Sequence, residues 1–326
     1  MTGRNILITG GAGFLGVNLA ERLAPENEVT LLDLALGGTL PYSPLAHDEG
    51  VKKIAADVRD AEPLAALIAE CDVVIHAAAL LGVRRVVERP RDTIDTIVLG
   101  TRNVLEAVRR AGRPIEVINF SSSEVYGNVA RVREGEPARV GTTRDPRSSY
   151  AAAKLLAEHL CWAYRSEFGV PVCTIRPFNV YGPRRCGAHA VGIFAVQALA
   201  GVDLTVYGSG ESLRSWCYVD DFCEGVLAAL DTPAAFGEDI NLGGPDDHVS
   251  VKHLAETIAE LAGSGSQVRT VAPPFSDIGA RHVDTEKARQ LLGYEPQIDL
   301  ETGLERTLTW YRKHLAEFPH WLEPGA

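Results

Sequence analysis

The chain has 326 residues, of which 46% are hydrophobic and 23% charged, the balance of an ordinary globular protein with room for one large or two smaller domains. Its formal charge of −11 argues against a nucleic-acid-binding surface. Any anionic ligand must therefore be held by local dipoles and a few arginines, not by the field of the whole protein.

The first element in chain order is "NILIT" (5–9), a continuous apolar run of the kind that forms a strand buried on both faces. A glycine turn and a helical stretch, "FLGVNLAERLA", follow it. Further strands are predicted at "EVTLLD" (28–33), "VKKIAAD" (51–57), "DVVIHAAA" (72–79), "IEVINFSSS" (115–123) and "VPVCTIRP" (170–177). Helical segments separate most of them: "AEPLAALIAE", "GTRNVLEAVRRAG" and "SYAAAKLLAEHLCWAYRSEFG". Strands alternating with helices predict βαβ units, and so an α/β fold with a Rossmann-type, doubly wound parallel sheet.

After Pro177 the elements shorten and Gly and Pro become frequent. Two helices stay clear, "SVKHLAETIAELAGS" and "TEKARQLLG". The expected organisation is a Rossmann domain over 1–177 and a smaller C-terminal α/β lobe over 178–326, with the chain crossing back around 215–243. No internal repeat or low-complexity tract is present. No apolar run approaches a membrane span, and the start "MTGRNILITGG" has no signal-peptide pattern, so a cytoplasmic chain without a membrane partner is expected. The six cysteines (71, 161, 173, 186, 217, 223) are scattered and form no C-x-x-C, the pattern of reduced thiols and not of a metal site.

"ITGGAGFLG" places Gly10, Gly13 and Gly16, with Phe14 and Leu15, at the junction of the first strand and first helix. A tight turn there lets the backbone approach a pyrophosphate, and the helix N-terminus offers free N–H groups to it. Asp33 ends the next strand, where an acid can bind both ribose hydroxyls of an adenosine. It would repel a 2′-phosphate, which selects NAD over NADP. Asp57, beside Val58, ends the third strand and either hydrogen-bonds the adenine or caps a helix. "SYAAAK" puts Tyr150 and Lys154 on one helical face. A nearby ammonium favours the phenolate of a tyrosine whose ordinary pKa is ~10.

These motifs, with "HAAA", "SSSEVYG", "RPFNVYGP", "YGSGESLRSWCYVDD" and "RHVDTEKARQLLGYEP", resemble the extended short-chain dehydrogenases/reductases that act as nucleoside-diphosphate-sugar epimerases, dehydratases and decarboxylases. The resemblance covers nearly the whole chain. It implies Tyr150 as the base at the sugar C4 hydroxyl, Ser122 as the bridging hydroxyl, and Lys154 on the nicotinamide ribose. Ala77, from "HAAA", joins the cofactor contacts. Glu124 is expected on the same face as Ser122 by strand alternation, within reach of the sugar near C5.

Within the family, Ser122-Ser123-Glu124 is similar to the Thr-Ser-Glu of UDP-glucuronate decarboxylases and GDP-mannose 4,6-dehydratases; the latter usually read NADP and are longer, and Asp33 argues against them. Dehydratases acting on deoxythymidine-diphosphate-glucose carry Asp then Glu, and simple 4-epimerases usually lack the glutamate. Decarboxylation of UDP-glucuronate through a 4-keto intermediate is the preferred expectation, then 4-epimerisation, then 4,6-dehydration. A uronate carboxylate needs a cation, for which Arg184 and Arg185 are candidates and Arg84 and Arg85 weaker ones. Arg214 and Arg281 resemble the family's diphosphate contacts, Asn179 its substrate asparagine, and Tyr207 lies in the segment that lines the nucleotide base. Each has a structural alternative. Ile97, where most relatives have asparagine, the loop "HAAALLGVRRVVERP" and "FSDIGARH" depart from the decarboxylase pattern. A homodimer through "GTRNVLEAVRR" and "SYAAAKLLAEHLCWAY" is expected by the same resemblance.

Overall fold

The computed structural model describes residues 1–80, 82–245, 248–272 and 281–322. The first half runs β1 (Asn5–Thr9), α1 (Phe14–Leu23), β2 (Glu28–Asp33), β3 (Lys52–Ala55), α2 (Ala61–Ala69), β4 (Val73–His76), α3 (Val83–Glu88), α4 (Pro90–Arg110), β5 (Glu116–Phe120), β6 (Arg131–Val132), α5 (Ser148–Phe168) and β7 (Val172–Pro177). The second runs β8 (Val180–Tyr181), α6 (Ala190–Leu199), β9 (Leu204–Tyr207), β10 (Leu213–Arg214), β11 (Cys217–Tyr218), α7 (Val219–Leu230), β12 (Asp239–Leu242), β13 (Val249–Ser250), α8 (Val251–Ala262), β14 (Val268–Val271), β15 (His282–Val283), α9 (Glu286–Leu292) and α10 (Leu300–His314).

Seven strands form one sheet in the order β12-β7-β5-β4-β1-β2-β3, every neighbouring pair parallel. The seventh, β12, comes from the C-terminal half and pairs with β7. The apolar strand runs explain themselves by alternation. Ile6, Ile8, Ile75, Ile118 and Ile175 join one core with α1, α6 and α7. Leu7, Val74, Val117 and Val172 join the other, with α2, α4 and α5. Both faces are thus covered, as a parallel sheet requires.

The predicted strands are present; β1, β2 and β7 end as predicted, and β3, β4 and β5 stop two to three residues earlier. The run predicted as 115–123 stops being strand at Phe120, and Ser123–Tyr126 is a 3-10 helix. One helix, α4, is longer than predicted, and the described residues hold helices beyond those predicted. The segment 100–112 is the second half of α4, and α6, α7 and α10 were unmarked by clear periodicity. The sequence of α6, "AVGIFAVQAL", is apolar on every side, and most of it is buried.

One buried ion pair ties these pieces together. Arg176 at the end of β7 donates Nε to Glu158 Oε1 at 2.8 Å and Nη2 to Oε2 at 2.6 Å, with both side chains only 8% exposed. Its Nη1 donates to the Tyr126 hydroxyl at 2.8 Å, and Tyr126 donates to Asn241 Oδ1 on β12 at 2.9 Å. Removing one member of such a pair leaves the other charge buried and unmatched. Glu158→Gln should therefore destabilise the fold by about 3 kcal/mol. Adding Arg176→Met should recover part of that loss. Urea unfolding of the single and double variants checks this, and a single variant as stable as wild type contradicts it.

Candidate functional site

The turn between β1 and α1 is shaped by glycine. Gly10 has φ of 70°, and a Cβ on it would lie 2.8 Å from the carbonyl carbon of Ala77. On Gly16 a Cβ would lie 2.5 Å from the carbonyl oxygen of Gly10. Side chains there would push strand and helix apart. Gly13 precedes α1 with no side-chain cap, so the first N–H groups of the helix are left for a ligand. Phe14 and Leu15, partly buried, open the helix. Asp33 Oδ2 accepts from the Ala12 N–H at 3.1 Å, and burial raises its pKa despite the backbone donors around it. The residues present fit a dinucleotide: a close-approach turn, an open helix end and an acid at the end of β2.

The other cofactor candidates line the same edge. Asp57 is bound by Arg59, whose Nε donates to Oδ2 at 2.9 Å and Nη2 at 2.6 Å. It does not cap α2; Asp60 stands at that position, and makes no side-chain cap bond. Val58 is buried, and Ala77 continues β4 by donating its N–H to Thr9 O at 3.0 Å.

Tyr150 and Lys154 sit in the first turns of α5. Lys154 is 4% exposed and donates to Phe120 O at 2.5 Å. Burial lowers its pKa to about 8. Tyr150 is partly buried, packed against Ile97, Ala153 and Ala157. Burial raises its pKa to about 12, the Ser122 hydroxyl lowers it, the Glu124 charge raises it and the Arg185 charge lowers it. Ser122 is thus the hydrogen-bonding neighbour of the Tyr150 phenol.

Strand alternation does not bring Glu124 there, contrary to expectation. Ser122 is the extended residue capping the 3-10 helix, and its Oγ accepts from the Glu124 N–H at 3.2 Å. The helical turn carries Glu124 to the site. Arg281, expected at a diphosphate, has partners within the fold. It is 5% exposed, and its Nη1 donates to Ser123 Oγ at 3.2 Å and Glu124 Oε1 at 3.4 Å. Its Nη2 donates to Gly127 O at 2.5 Å. In this structure it holds the "SSSEVYG" turn.

The Arg184 guanidinium, expected near a carboxylate of the substrate, pairs with Glu21 and donates to Asn18 Oδ1 at 2.8 Å, both on α1. Asn179, with φ of 40°, donates Nδ2 to Ser215 O at 2.9 Å. Arg214 donates to Leu213 O at 2.8 Å. Tyr207 is exposed at the end of β9. Arg84 is an exposed partner of Glu88. In "FSDIGARH", residues 275–280 lie outside the described residues. Among the described residues no cluster of His, Cys, Asp and Glu could hold a metal.

The sequence reading missed His76, although "HAAA" was noted. Thr101 donates its hydroxyl to Ile97 O at 2.7 Å, so its oxygen must accept from His76 Nε2 at 3.1 Å. The His76 Nδ1 then accepts from Thr9 Oγ1 at 2.7 Å. Burial, then the Lys154 charge, lowers its pKa to about 3, so the ring is neutral. This chain of bonds locks β1, β4 and α4 beneath Ala77.

The cradle makes a direct prediction. Gly10→Ala should weaken NAD binding at least ~10-fold by straining a left-handed residue and pressing on Ala77. Calorimetric titration checks it; unchanged affinity in a folded variant contradicts the role of the turn.

Comparison with known proteins agrees with this geometry. Residues 6–243 match the NAD dependent epimerase/dehydratase family. The chain is 36% identical to UDP-N-acetyl-alpha-D-glucosaminuronate decarboxylase of Bacillus cytotoxicus, over 95% of this chain and 98% of that one. It is 36% identical to UDP-glucuronic acid decarboxylase 1 of Xenopus tropicalis, over 96% of this chain and 73% of that one. Its fold is similar to UDP-glucuronic acid 4-epimerase of Bacillus cereus, solved with UDP-glucuronic acid and NAD, with a TM-score of 0.86, 29% identity and coverage of 95% and 99%. Relatives of the chain are NAD-dependent nucleotide-sugar decarboxylases, epimerases and dehydratases. The chain belongs to the NAD dependent epimerase/dehydratase family and uses NAD.

Proposed function

We propose that the enzyme decarboxylates UDP-glucuronate through a 4-keto intermediate, giving UDP-xylose or its 4-keto precursor. The observation that carries this reading is Arg281, a buried cation on Ser123 and Glu124 in the turn that faces Tyr150. A guanidinium there suits a substrate that brings a carboxylate and develops negative charge.

Bound at the cradle, NAD supplies the acceptor for the hydride of C4. Tyr150 and Ser122 take the proton of the C4 hydroxyl as that carbon is oxidised. The 4-ketone makes the C6 carboxylate part of a β-keto acid. The C5–C6 bond then breaks, CO2 leaves, and the electron pair remains on C5 as an enolate. Arg281 stabilises that charge, and a proton returns to C5. Glu124 stands at the C5 side of the sugar.

The second reading is 4-epimerisation. The loop after β4 favours it, since "HAAALLGVRRVVERP" is closer to the epimerase pattern. Exposed Ile94 and Leu99 on α4, and Leu156, Trp162 and Phe168 on α5, support a homodimer through these helices.

Mass spectrometry of UDP-glucuronate, and of UDP-N-acetylglucosaminuronate, incubated with enzyme and NAD should show loss of one CO2. An unchanged mass with a new isomer would support the epimerase instead, and an unchanged mass without one rejects both uronates. Tyr150→Phe should cut turnover by a factor of about 10³ while NAD affinity stays within a few-fold. Turnover that survives the substitution sinks the base assignment.

A further inference from the structure

We propose that Tyr42 and the aromatic cluster of the C-terminal segment form a clasp on the loop after β2, and that this clasp sets how fast NAD enters and leaves the dinucleotide cradle. The inference rests on the use of NAD, and not on which sugar is oxidised.

The loop begins and ends at the cradle. It leaves β2 at Asp33, whose Oδ2 accepts from the Ala12 N–H at 3.1 Å. It returns at Thr39 and Leu40, whose N–H groups both donate to the Ala12 carbonyl, at 3.0 and 3.3 Å. Residues 34–38 therefore join the acid suited to the adenosine ribose to the turn suited to the pyrophosphate. Gly37 and Gly38 are exposed, and Gly38 has φ of 68°, so this short bridge carries a hinge beside its second anchor.

Two sets of contacts hold the far end of the loop. In the first, Thr39 Oγ1 donates to Arg184 O at 2.8 Å, and Ser43 Oγ donates to Glu21 Oε1 at 2.6 Å. The same Glu21 carboxylate takes the Arg184 guanidinium. Arg184 has φ of 68°, and the next guanidinium, Arg185, turns inward to Val180 O and the Phe14 ring. In the second set, the Tyr42 ring stands edge-on to Trp310 and His314 of α10, with centroids 5.2 and 5.4 Å apart. Trp310 and His314 are stacked at 4.3 Å, and the Tyr42 hydroxyl donates to Glu317. Trp310 also packs on Phe318, which lies 4.7 Å from the buried Trp321.

The two sets differ in what it takes to break them. Thr39 and Ser43 are buried, so parting their contacts opens the core. Tyr42 is only partly buried and Glu317 is exposed, so their contact can part while the core stays shut. The clasp holds the loop and not the ligand. Weakening it should therefore speed entry and exit alike and leave affinity nearly unchanged. Where a hydride returns to the sugar, the reduced cofactor must stay bound in between, and a slow gate provides that.

Enzyme loaded with tritium-labelled NAD is diluted into unlabelled NAD, and the label retained is followed by rapid gel filtration. Calorimetric titration gives Kd. Tyr42→Ala and Trp310→Ala should each release NAD about 10-fold faster, with Kd within about 3-fold of wild type. The double variant should be little faster than Tyr42→Ala, because both substitutions remove one contact. Ile68→Val, a core truncation in α2, should keep the wild-type rate. Tyr42→Phe keeps the ring and loses only the Glu317 bond; it should release NAD a few-fold faster and serves if the alanine protein folds poorly. A wild-type release rate in folded Tyr42→Ala overturns the inference. So does a Kd that rises as far as the release rate, the mark of a lost contact to bound NAD, and so does equally fast release from Ile68→Val, the mark of general loosening. No sugar enters the measurement, so a failure of UDP-glucuronate to react would count against the proposed reaction alone.

Discussion

A buried guanidinium holds the catalytic parts in register. Arg176 cannot shed its charge, so every orientation of its neighbours must keep it bonded. It satisfies that demand with Glu158 from α5, Tyr126 from the 3-10 helix after β5, and Asp239 on β12, whose Oδ2 is 3.0 Å from Nη2. The catalytic groups lie on these same segments. Tyr150 and Lys154 are on α5, about two turns and one turn before Glu158 respectively, and Ser122 and Glu124 stand just before Tyr126. Sliding α5 along the sheet would break the bidentate contact and strand a charge in the core. Geometry between base and bridging hydroxyl is thereby set by a residue remote from the sugar.

The same network explains why β12, from the C-terminal half, is part of the main sheet. Asn241 accepts from Tyr126 and its N–H reaches Glu134. Asp239 meets Arg176, and Lys287 from α9 donates to Asp239 O at 2.8 Å. The edge strand is fastened by polar contacts to the reaction centre on one side and to the C-terminal lobe on the other. Arg281, immediately before β15, bonds the turn holding Glu124 and so joins that turn to the C-terminal half as well.

Much of this was legible because it depends on local rules. The run "NILIT" had to be a doubly buried strand, "GGAGFLG" had to be a close-approach turn, and Tyr150 and Lys154 had to share a face. What stayed hidden depended on partners distant in sequence. Nothing in "SSSEVYG" says that Ser122 caps a helical turn; the extended pattern simply continues on paper. His76 looked like the end of a strand until Thr9 and Thr101 came beside it. Helix α6 gave no period to read because most of it is buried and its partly exposed positions, Ala190, Ile193 and Leu199, are apolar too.

The arginines show the limit most clearly. A chain with a net charge of −11 must bind anions with individual cations placed by the fold. Composition cannot rank those cations, and motif position ranks them only in part. Arg184 follows "YGP" and has the charge for a carboxylate, yet Glu21 and Asn18 claim it. Arg185 is its neighbour, and one left-handed residue sends it inward to Phe14. Arg281 is far along the chain, yet it lies on Glu124. Each is an identical guanidinium, so the chemistry assigned to it is a property of the backbone that aims it and of the acceptors already present. At this site the acceptors differ: Arg184 meets Glu21, Arg185 meets a carbonyl and the Phe14 ring, and Arg281 meets Glu124 in the turn after β5.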